Sequence, residues 1–144
     1  MMSLFGCVSL GGKSNGYALR LNPEKDLRQS LVAFVKANRL QAAHVLTCVG
    51  SLTQVQIRYA NQKKATTLKG HFEIVSLVGT LAADGGTHLH ISVSDKAGRT
   101  FGGHLLDGSK VYTTAEIVLG NLEGVKFKRK LDPVTTFKEL SIEN

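Results

Sequence analysis

Three histidines, His88, His90 and His104, carry the clearest chemistry in this 144-residue chain. On a strand, His88-Leu89-His90 turns both imidazoles to one face with Ser92 and Ser94, while Leu89, Ile91 and Val93 face the other way. The following Asp95-Lys96-Ala97-Gly98-Arg99 has the form of a type I turn closed by a left-handed glycine, a three-residue hairpin loop. Counting outward from Asp95 opposite Arg99 puts Val93 opposite Phe101, His90 opposite His104 and Leu89 opposite Leu105. A two-residue loop would instead throw His104 onto the leucine face. Directly paired side chains have Cβ atoms about 4.5–5.5 Å apart, within reach of one metal whose Zn–N bonds are about 2.0–2.1 Å. Three neutral imidazoles with an open fourth position make a catalytic-style zinc site. Spacing alone also permits three ordinary surface histidines. Gly102 and Gly103 allow a ligand or another backbone to approach closely.

Other candidates are weaker. His44 lies in an apolar run and reads as a satisfied core residue; His71 opens a strand beside Gly70. Glu73 and Glu116 sit among aliphatic neighbours, and Glu116 is the candidate acid or base, or else an interface residue. Gly11-Gly12-Lys13-Ser14 fails as a phosphate loop, because the position five before Gly12 is Cys7, and it reads as a flexible turn. Neither GxGxxG nor GxSxG occurs, so dinucleotide binding and α/β-hydrolase chemistry lack a motif.

The elements that must position these residues read as one unit. Tyr17 to Leu21 alternates like a strand. Asn22-Pro23 then signals a helix, with Asn22 as N-cap, Pro23 at the first position, and Glu24 and Asp26 in the first turn. Leu27, Leu31, Phe34 and Val35 form its apolar stripe, and Asn38 its left-handed cap. Strands follow at Ala42–Val49, Thr53–Tyr59, Phe72–Leu81, His88–Ser94, Thr100–Leu106, Val111–Leu119 and Phe137–Ile142. One helix followed by many strands predicts an α+β fold, an antiparallel sheet core with one principal helix packed on it. Residues 1–15 read as an N-terminal extension and 16–144 as a single domain. Strands as apolar as EIVSLVGTL and AEIVLG need a cover beyond one helix, which points to self-association or a second buried layer.

Composition bounds the rest. A chain this long buries about 68–70% of its unfolded surface and needs no disulfide staples. Two cysteines, Cys7 and Cys48, form no CxxC pair, so a reduced, intracellular setting is expected. The opening residues lack the features of a signal peptide, and no apolar run is long enough for a membrane span. Lys and Arg total 18 against 11 Asp and Glu, a net charge of +7, which permits weak attraction to nucleic acid. The densest basic run is Lys126, Lys128, Arg129 and Lys130; alternation puts Lys126, Lys128 and Lys130 on one side and Phe127 and Arg129 on the other. A solvated edge strand explains that run as well as a nucleic-acid patch does. The absence of Trp and the presence of only three Tyr disfavour a stacking platform for single strands.

The segment Gly70-His71-Phe72-Glu73-Ile74-Val75-Ser76-Leu77-Val78-Gly79-Thr80-Leu81, followed by Thr87-His88-Leu89-His90, Gly102-Gly103-His104-Leu105 and Thr114-Ala115-Glu116-Ile117-Val118, resembles the PPC (plants and prokaryotes conserved) domain. The likeness runs from about Tyr17 to Ile142. It implies an α+β fold, homotrimeric assembly and a divalent metal, zinc or another, held by His88, His90 and His104. Plant members of the family carry an AT-hook, which this sequence lacks, so their DNA binding is not carried over. Phe72-Glu73-Ile74 falls in the motif through which plant members contact protein partners. The resulting expectation is a cytoplasmic, or also nuclear, homotrimer with a three-histidine metal site. The alternatives are a protein-interaction or weak DNA-binding module, and a metal-dependent hydrolase with Glu116 as proton acceptor.

Overall fold

Asp26, rather than Asn22, caps the helix. In a computed structural model, which describes residues 12–144, α1 spans Leu27–Ala37. The Asp26 carboxylate accepts the Gln29 N–H at 3.0 Å and the Gly108 N–H at 2.5 Å, tying the helix start to a distant turn. Asn22-Pro23 makes a turn instead: the Lys25 N–H donates to the Asn22 carbonyl at 3.3 Å and Glu24 has φ 67°. Proline suits the second position of a turn as well as the first position of a helix, so the dipeptide alone did not distinguish them. At the other end Asn38 has φ −91°, and the left-handed residue is Arg39 at φ 54°.

Among the described residues there are eight strands: β1 (Ser14–Leu21), β2 (Ala43–Arg58), β3 (Thr66–Ala82), β4 (Gly86–Ser94), β5 (Thr100–Leu105), β6 (Lys110–Leu122), β7 (Lys126–Leu131) and β8 (Lys138–Glu143). The expected N-terminal turn at Lys13-Ser14 gives way to β1 at Ser14, and residues 1–11 of the expected extension lie outside the described residues. The two runs read as Ala42–Val49 and Thr53–Tyr59 are one strand, because Gly50 and the register shifts after it bend β2 without breaking it. β3 begins at Thr66, so His71 sits inside a strand.

Six strands form an antiparallel sheet in the order β1-β6-β2-β3-β4-β5. The far end of β2 also pairs with β5, Ile57 with Leu105 and Arg58 with His104, so β2, β3, β4 and β5 close into a ring. Leu27, Leu31 and Val35 of α1 bury into the same core as Leu52, Val55, Leu81, Ile117 and Leu119. Each such side chain contributes roughly 1.5–3 kcal/mol by leaving water. Phe34 is only partly buried and meets Tyr17 edge to face at 5.9 Å.

β7 and β8 form a separate hairpin anchored by Phe127, whose N–H donates to the Gln41 carbonyl at 2.9 Å and whose ring joins Ala42, Ala82 and Val125. The expected alternation holds in part: Phe127 is buried, Arg129 reaches inward, and Lys126 and Lys130 are exposed, but Lys128 is half-buried and lines the same recess as Arg129. His44 is half-buried rather than in the core, with its imidazole lying over Gly120.

Candidate metal centre

The hairpin loop sets the register of the centre. The Asp95 N–H donates to the Arg99 carbonyl at 3.0 Å, the Gly98 N–H donates to the Asp95 carbonyl at 2.9 Å, and Gly98 has φ 77°. His90 consequently pairs with His104 and Val93 with Phe101. On the other side of β4, Thr80 pairs with His88 and Val78 with His90. Two glycines let the flanking strands close on those that carry the histidines, Gly79 between β3 and β4 and Gly103 between β5 and β2. A Cβ on Gly79, where φ is 137°, would lie 2.0 Å from the His88 carbonyl oxygen, and one on Gly103 would lie 2.5 Å from that of Arg58. The close approach that Gly103 serves is therefore to backbone; a Cβ on Gly102 would meet nothing nearer than 3.4 Å.

The donor nitrogens of His88, His90 and His104 all lie within 4.8 Å of one another. His88 Nε2 and His90 Nε2 are 3.1 Å apart. The His90 and His104 rings stand edge to face at 4.5 Å, and the His88 and His104 rings stack at 5.3 Å, 14° from parallel. Tetrahedral ligands on bonds of about 2.0–2.1 Å stand about 3.3 Å apart, so small side-chain rotations bring the set onto one ion. Burial, then the Arg129 charge, lowers the His88 pKa from its ordinary 6.5. Burial, then Arg58, does the same for His104. Both effects favour the neutral imidazole that a metal requires. The donor set thus fits zinc or another imidazole-binding divalent ion.

Beside the histidines opens a recess of about 1110 Å³, lined by His88 and His104 but not by His90. The β7–β8 hairpin supplies one wall. From it Arg129 donates to Thr80 Oγ1 at 2.7 Å, and Glu139 also faces the recess. Sequence reasoning missed Arg58, Arg129 and Glu139. The inward alternation of Phe127 and Arg129 was a signal for the second of them, but nothing local showed which surface that side would meet.

Glu116 is not brought to this site. It lies exposed on β6 between Arg20 and Val49, and Val49 stands nine positions along β2 from Arg58, the partner of His104. Glu73 is exposed on β3 opposite Ser94, four residues along β4 from His90. Its neighbours Phe72 and Ile74 are core residues, leaving Glu73 as the outward side chain of that segment.

Comparison with known proteins assigns the family. The profile of the Plants and Prokaryotes Conserved (PCC) domain matches residues 8–123. The chain belongs to that family. The PCC match ends before β7, short of the Ile142 limit read from the sequence. The chain is 47% identical over 132 residues to the bifunctional protein GlmU of Synechococcus sp. (strain JA-3-3Ab), covering 92% of this chain and 21% of that protein. It therefore spans about a fifth of the length of the curated relatives it matches. A hypothetical protein from Salmonella cholerae-suis superimposes with a TM-score of 0.92 at 43% identity, covering 94% of this chain and 97% of that one. The metal-containing protein from Archaeoglobus fulgidus shares the fold with a TM-score of 0.82 at 24% identity, over 94% and 99% of the two chains.

Proposed function

We propose that this PCC-family protein binds one divalent ion, zinc first among the candidates, through His88, His90 and His104, as a homotrimer in the cytoplasm. The observation that carries the reading is the convergence of three imidazole nitrogens within 4.8 Å on two paired strands. The description of the Archaeoglobus fulgidus protein as metal-containing agrees with it. A divalent ion held this way supplies Lewis-acid chemistry, and three protein ligands leave a position open toward the recess. The chain's own part is to keep His88 and His104 neutral and to hold the three rings on a rigid hairpin. Titration of the metal-free protein with zinc against a chromogenic chelator tests this: wild type competes with the chelator at one equivalent per chain, and His88→Ala does not. Equal competition by both would refute the assignment.

Self-association is supported by the outward aliphatic residues of β2 and β3, Leu46, Val49, Val75 and Val78, each more than half exposed in the single chain. A patch of this kind on a small domain marks an association surface. Val78 lies directly across from His90, so the patch borders the metal ligands, and neither of these two residues lines the recess.

A protein-interaction or weak DNA-binding role is the second reading, favoured by the exposed Lys126 and the +7 net charge. Binding of that kind is electrostatic and collapses between low and physiological salt. Retention of duplex binding at physiological salt would put this reading first. In a metal-dependent hydrolase, the carboxylates of the recess are Asp84 and Glu139, so Glu139 replaces Glu116 as the candidate proton acceptor.

A further inference from the structure

We propose that the recess beside the histidines is a binding site for a small oxyanion, a phosphate or carboxylate group of a metabolite-sized ligand, gripped by Arg58 and Arg129. The proposal deepens the metal reading, since an ion on His88 and His104 would face the same recess, but the arginine pair is testable without the metal.

Charge is the first argument. Six cationic side chains line the recess against two carboxylates, Asp84 and Glu139. Arg28 is already committed to Asp107 at 2.6 Å. Among the described residues, neither Arg58 nor Arg129 has a carboxylate within ion-pair distance. Both are partly buried, Arg58 at the end of β2 and Arg129 on β7. Glu139 stabilises the Arg129 charge only at longer range, and an anionic ligand in contact offsets the remaining cost of taking these cations out of water.

Placement is the second. Arg58 is the cross-strand partner of His104. Arg129 is held by Thr80, and Thr80 is the cross-strand partner of His88. Arg129 is thereby held beside His88, and the Arg58 charge lies near enough to act on His104. Arg129 gives one N–H to Thr80, and the hydrogen bond of Arg58 is a long one, 3.4 Å to the Gln62 carbonyl. With five donors per guanidinium, most remain available in the planar fork that matches a carboxylate or phosphate edge. Lysine offers no such fork, which is why the pair is assigned to the arginines rather than to Lys63, Lys128 or Lys138.

Size is the third. A volume of about 1110 Å³ suits a metabolite, and the open side lets the rest of such a ligand extend past Phe137 and Leu106. The wall carrying Arg129 belongs to the β7–β8 hairpin, beyond the residues of the family match. The family-matched strands supply the three imidazoles and Arg58, and the β7–β8 hairpin supplies Arg129.

The experiment is calorimetric titration with inorganic phosphate and, separately, malonate, at fixed ionic strength, on metal-free and zinc-loaded protein. Wild type is compared with Arg58→Gln, Arg129→Gln, Arg129→Lys and the exposed hairpin-tip control Lys96→Gln. The expected result is binding in both metal states, tighter with zinc, and weakened about tenfold or more by either Gln substitution, as loss of a charge-assisted bidentate contact implies. Arg129→Lys, which keeps the charge and tests for a folding defect in Arg129→Gln, falls between, and Lys96→Gln matches wild type. Tighter phosphate than malonate assigns a phosphoryl ligand; the reverse assigns a carboxylate. Absence of anion binding in both metal states, or equal affinities of Arg129→Gln and Lys96→Gln, would overturn the proposal even if zinc binds. Failure of zinc to bind, with arginine-dependent anion binding intact, would leave the recess assigned and remove only the metal.

Discussion

His90 and His104 stand directly across from each other on the β4–β5 hairpin, with their rings 4.5 Å apart. That pairing depends on the three-residue loop between Asp95 and Arg99. Deleting Ala97 shifts the register by one and moves His104 to the apolar face. The expected outcome is loss of stoichiometric zinc with most of the strand content retained, measured by elemental analysis and far-ultraviolet circular dichroism. Full zinc occupancy in the deletion variant would show that the register does not place the ligands.

Gly79 sets the approach of β3 to β4. Alanine there meets the His88 carbonyl oxygen and adopts φ 137°, so Gly79→Ala should destabilise the fold by about 1–3 kcal/mol and weaken zinc binding. Urea denaturation followed by chelator competition checks both effects. An unchanged midpoint would mean that the strands are free to separate at this point.

Metal retention and metal-free stability should both fall on acidification. Burial, followed by Arg129 for His88 and Arg58 for His104, holds the folded pKa of each below the ordinary 6.5. The unfolded chain therefore binds more protons than the folded one in the interval beneath 6.5. The histidine contribution to stability is complete above that value and is lost as pH falls through the folded pKa values. Removing a cation by Arg129→Gln should raise the His88 pKa. Proton NMR titration of the imidazoles of both proteins reads this directly, and an upward His88 shift in the variant is expected; a downward one would contradict the placement of Arg129.

Cys48 is buried on β2, and desolvation pushes its thiol pKa up to about 12. Iodoacetamide should therefore spare Cys48 in the native protein and modify it once the fold is opened by denaturant. Mass spectrometry of the peptide containing it distinguishes the two. Native-state labelling at the rate of a free thiol would place β2 differently.

Much of this was legible in the sequence because local rules and tertiary structure agree on the hairpin. Loop length, the left-handed Gly98 and the alternation of His88, His90 and His104 with leucines all specify one register. The helix start was misread where two local rules compete: Asn22-Pro23 satisfies both a turn and a helix entry, and the deciding contact, Asp26 with Gly108, spans 82 positions in the chain. Arg58 and Arg129 escaped for the same reason. Their role comes from the closure of β2 on β5 and the return of β7 against Thr80, neither of which leaves a local pattern. Glu116 stood among aliphatic neighbours as a site or interface candidate; β6 carries it on an exposed face, away from the histidines.

The outward aliphatic face makes assembly testable. Val75 is 56% exposed in the single chain. Val75→Asp should yield insoluble or dissociated protein, because an aspartate cannot be buried there unpaired. Light scattering of the wild type should give about three times the 15.5 kDa chain mass. A folded wild type at 15.5 kDa at micromolar concentration would show that the patch has no partner copy.

The most direct test of the central claim is elemental analysis of protein purified without an affinity tag, before and after His104→Ala. One divalent ion per chain in the wild type, and none in the variant even after reconstitution with zinc, is the predicted result. A wild type that holds no metal after reconstitution, or a variant that holds as much, would contradict the assignment of His88, His90 and His104 as the ligands.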